Sequence, residues 1–560
     1  MKPEPLSLRG HIMEPWVQNY DPFHFWILST IVAALPVIVL FYLLAVKGTS
    51  AAIAAFGGAV TAILAASLAF GMPWTLSIST FFYGAAFGLV KIAWIVFAAV
   101  YLYDISVATG KFEIMKESVG GISSDRRLQA LLVAYSFGAF IEGAAGFGAP
   151  VAISAAFMVG LGFEPFYAAA LCLIANTAPV AWGAIGTPVH TLAAVSGLPE
   201  SDLNAMIGRI LPITGLIVPF WLVRTMVSWQ ETLEVLPAII VTSVSFASVQ
   251  FYWSNYVDSN LVDIVGAIAS LAAMIIFLRF WQPRTIWRFE HERHLEAARH
   301  QYTSREVIIA WLPFFILSLV VLAWGLPSIK AELNKVTYKF PWPFLHQAVA
   351  RTAPVVPQLT REAAIYDFNW LSATGTGCFL AAIISGIVLG CSPAQLWNIF
   401  KKTARRMKMP LIAISSMLGL GFVTRYSGLD AVLGLAFTRT GWFFPFFSAM
   451  LGWLGVALTG SDTASNALFG SLQTITARQL GLDPILMASS NSAGGVMGKM
   501  IDAQSIVVST AATNQIGNEG KIFRFVLWHS ILLGAIVGLI VMMYAYVFPQ
   551  AVPHGLNFIK

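Results

Sequence analysis

Two glycine-rich interruptions, one in each half of a very apolar chain, constrain this sequence most. The first reads Phe140-Ile-Glu-Gly-Ala-Ala-Gly-Phe-Gly-Ala-Pro150 and the second Leu458-Thr-Gly-Ser-Asp-Thr-Ala-Ser-Asn466. Each breaks a hydrophobic stretch and carries one carboxylate. Each is followed by a second interruption, Asn176-Thr-Ala-Pro-Val-Ala-Trp-Gly183 and Asn491-Ser-Ala-Gly-Gly-Val-Met-Gly498. Backbone inside a bilayer satisfies its own hydrogen bonds unless it lines a cavity buried in protein. Paired breaks at corresponding points of two halves therefore point to a transporter's binding site.

The membrane assignment follows from charge. Only 11% of the 560 residues are charged and 58% are hydrophobic, whereas a soluble domain carries about 25% charged residues. The runs 25–46, 51–71 and 409–424 hold no Asp, Glu, Lys or Arg. The 25–46 run is too long for a secretory signal peptide and is expected as a retained span. Further spans are expected near 77–103, 207–228, 234–253, 260–279, 306–327, 369–390 and 524–548, with the broken regions 128–200 and 442–515 between them. An all-α polytopic protein of about 12–14 crossings results, with re-entrant hairpins and broken helices. Cys172, Cys378 and Cys391 have no metal or redox spacing and are read as inert.

The net charge of +6 does not indicate nucleic acid. The bases cluster between spans, in 104–127, 279–305 and 401–408, and all three segments fall on one side, which the positive-inside rule makes cytoplasmic. Both termini are then external. The proline-bearing 328–367 loop is expected as an irregular cap over the outer face.

An internal repeat supports this reading. Gly110, Gly138, Gly143, Asn176 and Gly183 recur as Gly428, Gly455, Gly460, Asn491 and Gly498, each roughly 315–318 positions later. The first break is entered from the inside and the second from the outside, so the repeats are expected to be inverted. The divisions are 1–104 for N-terminal helices, 105–228 for the first repeat, 229–390 for middle helices and 391–548 for the second repeat. A tail covers 549–560.

The stretches Gly138-Ala-Phe-Ile-Glu-Gly-Ala-Ala-Gly-Phe-Gly-Ala-Pro-Val-Ala-Ile153, Asn176-Thr-Ala-Pro-Val-Ala181, Trp453-Leu-Gly-Val-Ala-Leu-Thr-Gly-Ser-Asp-Thr-Ala-Ser-Asn-Ala-Leu-Phe469 and Gly494-Gly-Val-Met-Gly-Lys-Met500 resemble the bacterial L-lactate permease family. Gln18-Asn-Tyr-Asp21 and Asp367-Phe-Asn-Trp-Leu-Ser-Ala-Thr-Gly375 resemble it too. Thr187-Pro-Val-His190, Asp502-Ala and Lys91 depart from its pattern. The resemblance covers nearly the whole chain. It implies a proton-coupled symporter in the inner membrane for L-lactate and related small 2-hydroxymonocarboxylates, glycolate and D-lactate among them. The implied partners are that carboxylate and the lipid bilayer, with a homo-oligomer allowed, no cofactor, and a proton as coupling ion.

A 2-hydroxy acid needs a receptor for its carboxylate and partners for its hydroxyl. Exposed helix N-termini favour anions, and Gly146 and Gly148 would let backbone approach one closely. Asn176, Thr177, Ser461, Thr463, Asn491 and Ser492 offer donors and acceptors; the alternative is that such small residues only allow tight helix packing. Lys499 is placed to attract the carboxylate or to pair with Asp462 or Asp502. Glu142 and Asp462 are intramembrane carboxylates and hence candidates for proton coupling. Glu142 ranks first because no cation lies within about ten residues of it and no hydroxyl neighbours it. Lys91 is a possible partner for Glu142, and His190 is read as a hydrogen-bonding residue. Competing readings are a sodium-coupled carboxylate symporter, a channel and a membrane-embedded enzyme. No catalytic signature at membrane depth and no Gly-x-x-x-x-Gly-Lys-Ser/Thr loop favours an enzyme or ATP-driven transport.

Overall fold

A computed structural model describes residues 14–146, 149–289, 302–515 and 518–555. The chain is a polytopic helical bundle. Among the described residues, Ala51–Ala69, Trp74–Ala108, Glu200–Met226, Leu236–Tyr256, Ser304–Gly325, Pro393–Ser427, Leu429–Thr459 and Glu519–Tyr546 are long and apolar enough to cross a membrane. A further pair, Pro165–Ala175 and Val180–Ser196, passes the same test together but bends by 64° at its break. Shorter apolar helices occupy Trp26–Phe41, Pro150–Leu161, Val262–Phe277 and Thr374–Val388.

The expected basic loop at 401–408 is instead the early part of the single helix Pro393–Ser427. A capping box starts that helix, with Ser392 and Gln395 each accepting from the other's backbone N–H. Lys, Arg and Met are good helix formers, so the helix continues into the 409–424 run. Its Arg406 reaches Asp104 at 2.7 Å. Arg127, from the segment before the first hairpin, donates to the Thr285 carbonyl at 2.8 Å. The three basic segments thus gather at one end of the bundle.

The other end carries a cap with more order than its prolines suggested. Tyr338–Pro341 pairs antiparallel with Ile365–Phe368. Val349–Arg351 pairs antiparallel with Thr360–Arg361 and parallel with Trp16–Val17. Alternating aromatic side chains supply the reason: Tyr338, Phe340, Trp342 and Tyr366 pack ring against ring on one face. Gln18 fixes the N-terminal segment there by donating to the carbonyls of Arg425 and Tyr426 at 3.0 and 2.8 Å. The last long helix ends at the same face, where the Tyr546 hydroxyl donates to the Trp442 carbonyl at 2.8 Å.

Two helical hairpins enter the bundle from opposite ends. In the first, Arg126–Ala144 runs inward from the basic end and Ala149–Leu161 returns. Both its feet lie there, since the Arg126 guanidinium sits 5.8 Å over the Phe163 ring. In the second, Phe444–Thr459 enters from the cap end and Asp462–Leu480 returns to it, where Gln479 donates to the Pro354 carbonyl at 2.6 Å.

Candidate functional site

The first hairpin turns at Ala145 and Gly146, and Gly146 takes a left-handed φ of 61° that favours glycine. Glu142 stands one turn before this tip, buried. It faces Gly183, where an added Cβ would collide with the carboxylate. Gly183 belongs to the expected break: Pro165–Ala175 ends with Asn176 as its C-cap, a 3-10 turn covers Val180–Trp182, and the helix resumes. Ala184, Ile185 and Gly186 then all take positive φ, at 45°, 59° and 71°. Left-handed backbone at a β-branched residue is strained and persists only where surroundings enforce it, commonly at functional sites. Here Trp182 donates to Asn204 at 2.6 Å, and Asn204 donates to the Ser254 and Asp258 carbonyls.

The second hairpin turns at Gly460, φ 73°, and Ser461 caps the returning helix by accepting from Ala464 N–H at 3.3 Å. Asp462 accepts at one oxygen from Ser492 Oγ at 2.5 Å and from Asn466 Nδ2 at 3.4 Å. The following helix differs from the expectation. Pro484–Gly498 runs unbroken through Asn491 and Ser492, and the interruption comes at Lys499–Asp502. The glycines serve packing instead: a Cβ on Gly494 or Gly498 would strike the Ala449 or Trp453 carbonyl, and one on Gly452 the Asn491 carbonyl. Small residues bring the two helix backbones into contact.

Lys499 marks the real break. Its ammonium donates to the Gly460 carbonyl at 2.5 Å and lies 3.2 Å from Asp502. Asp502 in turn caps Ala503–Ala512 by accepting from Ser505 N–H at 2.7 Å. Lys499 and Asp502 are within electrostatic reach of Glu142, so the two hairpin tips share one polar centre.

That centre opens into a cavity of about 1250 Å³. Glu142, Gly146, Ser461, Asp462, Thr463 and Lys499 line it, together with Thr187 and Asp502. It extends to Gly48–Ser50, Arg406 and Glu519 at the basic end. Towards the cap end, Gly183–Ser196 packs on Asp462–Leu480. There Asn466 Nδ2 donates to the Pro188 carbonyl at 3.1 Å, and Arg425 donates to the Ala194 and Val195 carbonyls at 3.2 and 3.0 Å. The cavity thus reaches residues of the basic end, while these contacts join the two elements towards the cap end.

Asn176, Thr177, Asn491 and Ser492 are buried but do not line the cavity. Thr177 donates to its own helix at Ile174, 2.7 Å away. Asn491 accepts from Gln473 at 3.2 Å and donates to Asn466 at 2.9 Å. Asn176 lies beside Glu142, yet its amide makes no hydrogen bond of sound geometry among the described residues. Gly148 lies outside the described residues. Lys91 does not meet Glu142: its π-helical turn, Gly88–Ala93, carries it to Asp367 of the cap at 3.9 Å and over the Phe87 ring. His190 hydrogen-bonds Asn260 at 2.9 Å and lies 3.1 Å from Glu200. The sequence reading missed Asn466 and Gln473, although helical spacing from Asp462 places Asn466 on its face. It missed Asp263 too, a carboxylate near the start of an apolar run.

Around the hairpin tips the arrangement brings one ammonium, three carboxylates and several hydroxyls to a largely apolar cavity wall, a combination suited to a small anion and a proton. The sequence profile of the L-lactate permease family matches residues 29–548. The chain is 43% identical over 552 residues to an L-lactate permease of Salmonella typhimurium, covering 97% of this chain and 100% of that one. It is 43% identical over 554 residues to the glycolate permease GlcA of Escherichia coli K12, covering 96% and 99%. An L-lactate permease of Bacillus subtilis is 41% identical over 569 residues, covering 96% and 100%. Among solved structures, the YdaH transporter of Alcanivorax borkumensis aligns with a TM-score of 0.46 at 13% identity, covering 86% of this chain and 89% of that one. MtrF of Neisseria gonorrhoeae aligns with a TM-score of 0.43, also at 13%, covering 87% and 86%.

Proposed function

The chain belongs to the L-lactate permease family, and from that premise we propose that it imports L-lactate and related small 2-hydroxymonocarboxylates, including glycolate and D-lactate, by proton symport across the bacterial cytoplasmic membrane. The observation that carries this reading is the meeting of two oppositely entering hairpin tips at one cavity. There Lys499 stands within electrostatic reach of both Glu142 and Asp462. The names of the lactate and glycolate permease relatives support the substrate class.

In this reading the substrate carboxylate meets the Lys499 ammonium, with Ser461 and Thr463 hydroxyls beside it to hydrogen-bond the carboxylate or the 2-hydroxyl. Glu142, and secondarily Asp462, takes the coupled proton and offsets the anion's charge. Asn176, Asn491 and Ser492 support the site from behind the cavity wall rather than touching substrate. The hairpins' opposite entry supports an inverted pair of repeats, whose rocking would exchange access between the two ends. The basic end is then cytoplasmic and both termini external.

Labelled lactate uptake by proteoliposomes under an imposed pH gradient, with and without sodium, tests the reading. Accumulation driven by the pH gradient alone is expected. Accumulation that requires a sodium gradient would replace the proton by sodium. Equilibration without accumulation under either gradient would indicate a channel.

A further inference from the structure

Asp263, at the start of the helix Val262–Phe277, is packed directly behind the first hairpin tip. A Cβ on Gly143 would come within 2.9 Å of the Asp263 Cβ, and Glu142 is the next residue along. Glu142 lines the cavity; Asp263 does not, and it is fully buried. Both Asp263 oxygens and Glu142 Oε2 lack a hydrogen-bond partner among the described residues. The same holds for both polar atoms of the Asn176 amide, 3% exposed beside Glu142, and for Gln250 Oε1 beside Asp263. Five side-chain oxygens near the first tip thus lack a partner, and the one unpartnered donor among these side chains is Asn176 Nδ2, beside Glu142.

The charged and titratable neighbours are few. The hairpin presents Glu142 and Tyr135, whose hydroxyl donates to the Gly215 carbonyl at 3.1 Å. The helix Leu236–Tyr256 presents Gln250 and contains no charged residue. In the loop before Asp263, Asp258 accepts from Trp253 Nε1 and Leu261 N–H; from neighbouring helices His190 and Glu200 meet that loop at Asn260 and Ser259 and face each other. Lys499 and Asp502 approach Glu142 from the second hairpin. Among the described residues no cation pairs with Asp263. A buried carboxylate that no cation pairs with and no hydrogen bond satisfies is strongly unfavourable when ionised.

We propose that Glu142 and Asp263 form one proton-binding unit, in which Glu142 meets the cavity and Asp263 holds a second proton behind the hairpin tip. This rests on the proton-symport reading. A proton entering from the cavity forms an O–H bond on Glu142 and neutralises it, while Asp263 keeps its own proton. When Glu142 returns its proton to the cavity the pair is singly ionised. Because both carboxyls cannot ionise freely side by side, the pair releases its protons in two separated steps. Asn176 and Gln250 supply the amides that stabilise the singly ionised state.

Infrared titration of the purified protein in liposomes, without lactate, tests this through the carboxylic C=O band of protonated side chains. Wild type is expected to lose that band in two steps. Asp263→Asn and Glu142→Gln should each leave one step, displaced to lower pH than the later wild-type step by about one pH unit or more. Asp263→Asn, close in shape to the native residue, should retain lactate counterflow while pH-driven accumulation declines at lower pH than in wild type. If Asp263→Asn removes no protonated-carboxyl band, or if Glu142→Gln leaves the Asp263 titration in place, the two groups are independent and the pair does not exist. A wild type that shows the two steps but moves no proton with lactate would defeat the symport reading while leaving the pair intact.

Discussion

The hydroxyls of Thr187 and Thr463 lie 3.5 Å apart, joining the helix after the first break to the helix after the second hairpin. Both line the cavity, where Gly183–Ser196 packs on Asp462–Leu480. A disulfide needs Cβ atoms roughly 3.5–4.5 Å apart, a separation compatible with this contact. Thr187→Cys combined with Thr463→Cys should cross-link under oxidation, lock the cap end shut and stop uptake. Reduction should restore it. Normal uptake by protein shown by mass spectrometry to be cross-linked would mean that this contact does not open during transport.

Both carboxylates line the cavity with one oxygen unpartnered, but Asp462 is held at its other oxygen by Ser492 and Asn466. Glu142→Gln should therefore retain lactate exchange between equal solutions and lose accumulation driven by a pH gradient. Asp462→Asn should impair both, since it disturbs the hydrogen bonds that shape the second tip. Should Glu142→Gln still concentrate lactate with the wild-type pH dependence, coupling passes to Asp462.

In the proposed site the substrate carboxylate meets Lys499. A hydrogen bond to a charged group contributes roughly 1.5–3 kcal/mol, so Lys499→Gln should raise the KM for lactate on the order of tenfold or more. The change also strips Asp502 of its 3.2 Å partner. The double variant Lys499→Gln, Asp502→Asn removes that orphaned charge and should keep the raised KM. Recovery of wild-type affinity in the double variant would show that Lys499 only neutralises Asp502.

The two asparagines of the paired motifs should separate in stability. Asn491→Ala leaves Gln473 Nε2 and Asn466 Oδ1 without their partner, at about 1–3 kcal/mol for a buried unsatisfied group. Asn176→Ala removes no geometrically sound hydrogen bond. Both should weaken uptake, but only Asn491→Ala should lower the thermal midpoint clearly. Equal midpoints would place Asn491 outside any stabilising network.

Several features were legible in the residues themselves. The uncharged runs, the glycine-rich hairpin tips and the lone carboxylates followed from the cost of charge and unpaired backbone in a bilayer, which acts on each segment separately. The Asn176 break was readable because Pro179 lacks an N–H and its ring clashes with the preceding turn, so a regular helix does not continue through it. The Asn491 motif looked the same and proved helical, because glycine permits a break without forcing one. There the backbones of Phe444–Thr459 and Pro484–Gly498 touch, and that contact holds the helix.

The sequence alone determined a polytopic membrane protein with two glycine-rich hairpin breaks, since the bilayer imposes rules on local composition. Only the tertiary structure decided which polar residues face the cavity and which support it. It turned Lys91 to the cap and Lys499 to the second hairpin tip, drew Asn466 against Pro188, and set Asp263 behind Glu142. Those choices depend on which helix packs against which, at separations of tens to hundreds of residues. A side chain's charge state and partners are fixed by that packing and not by its neighbours in the chain.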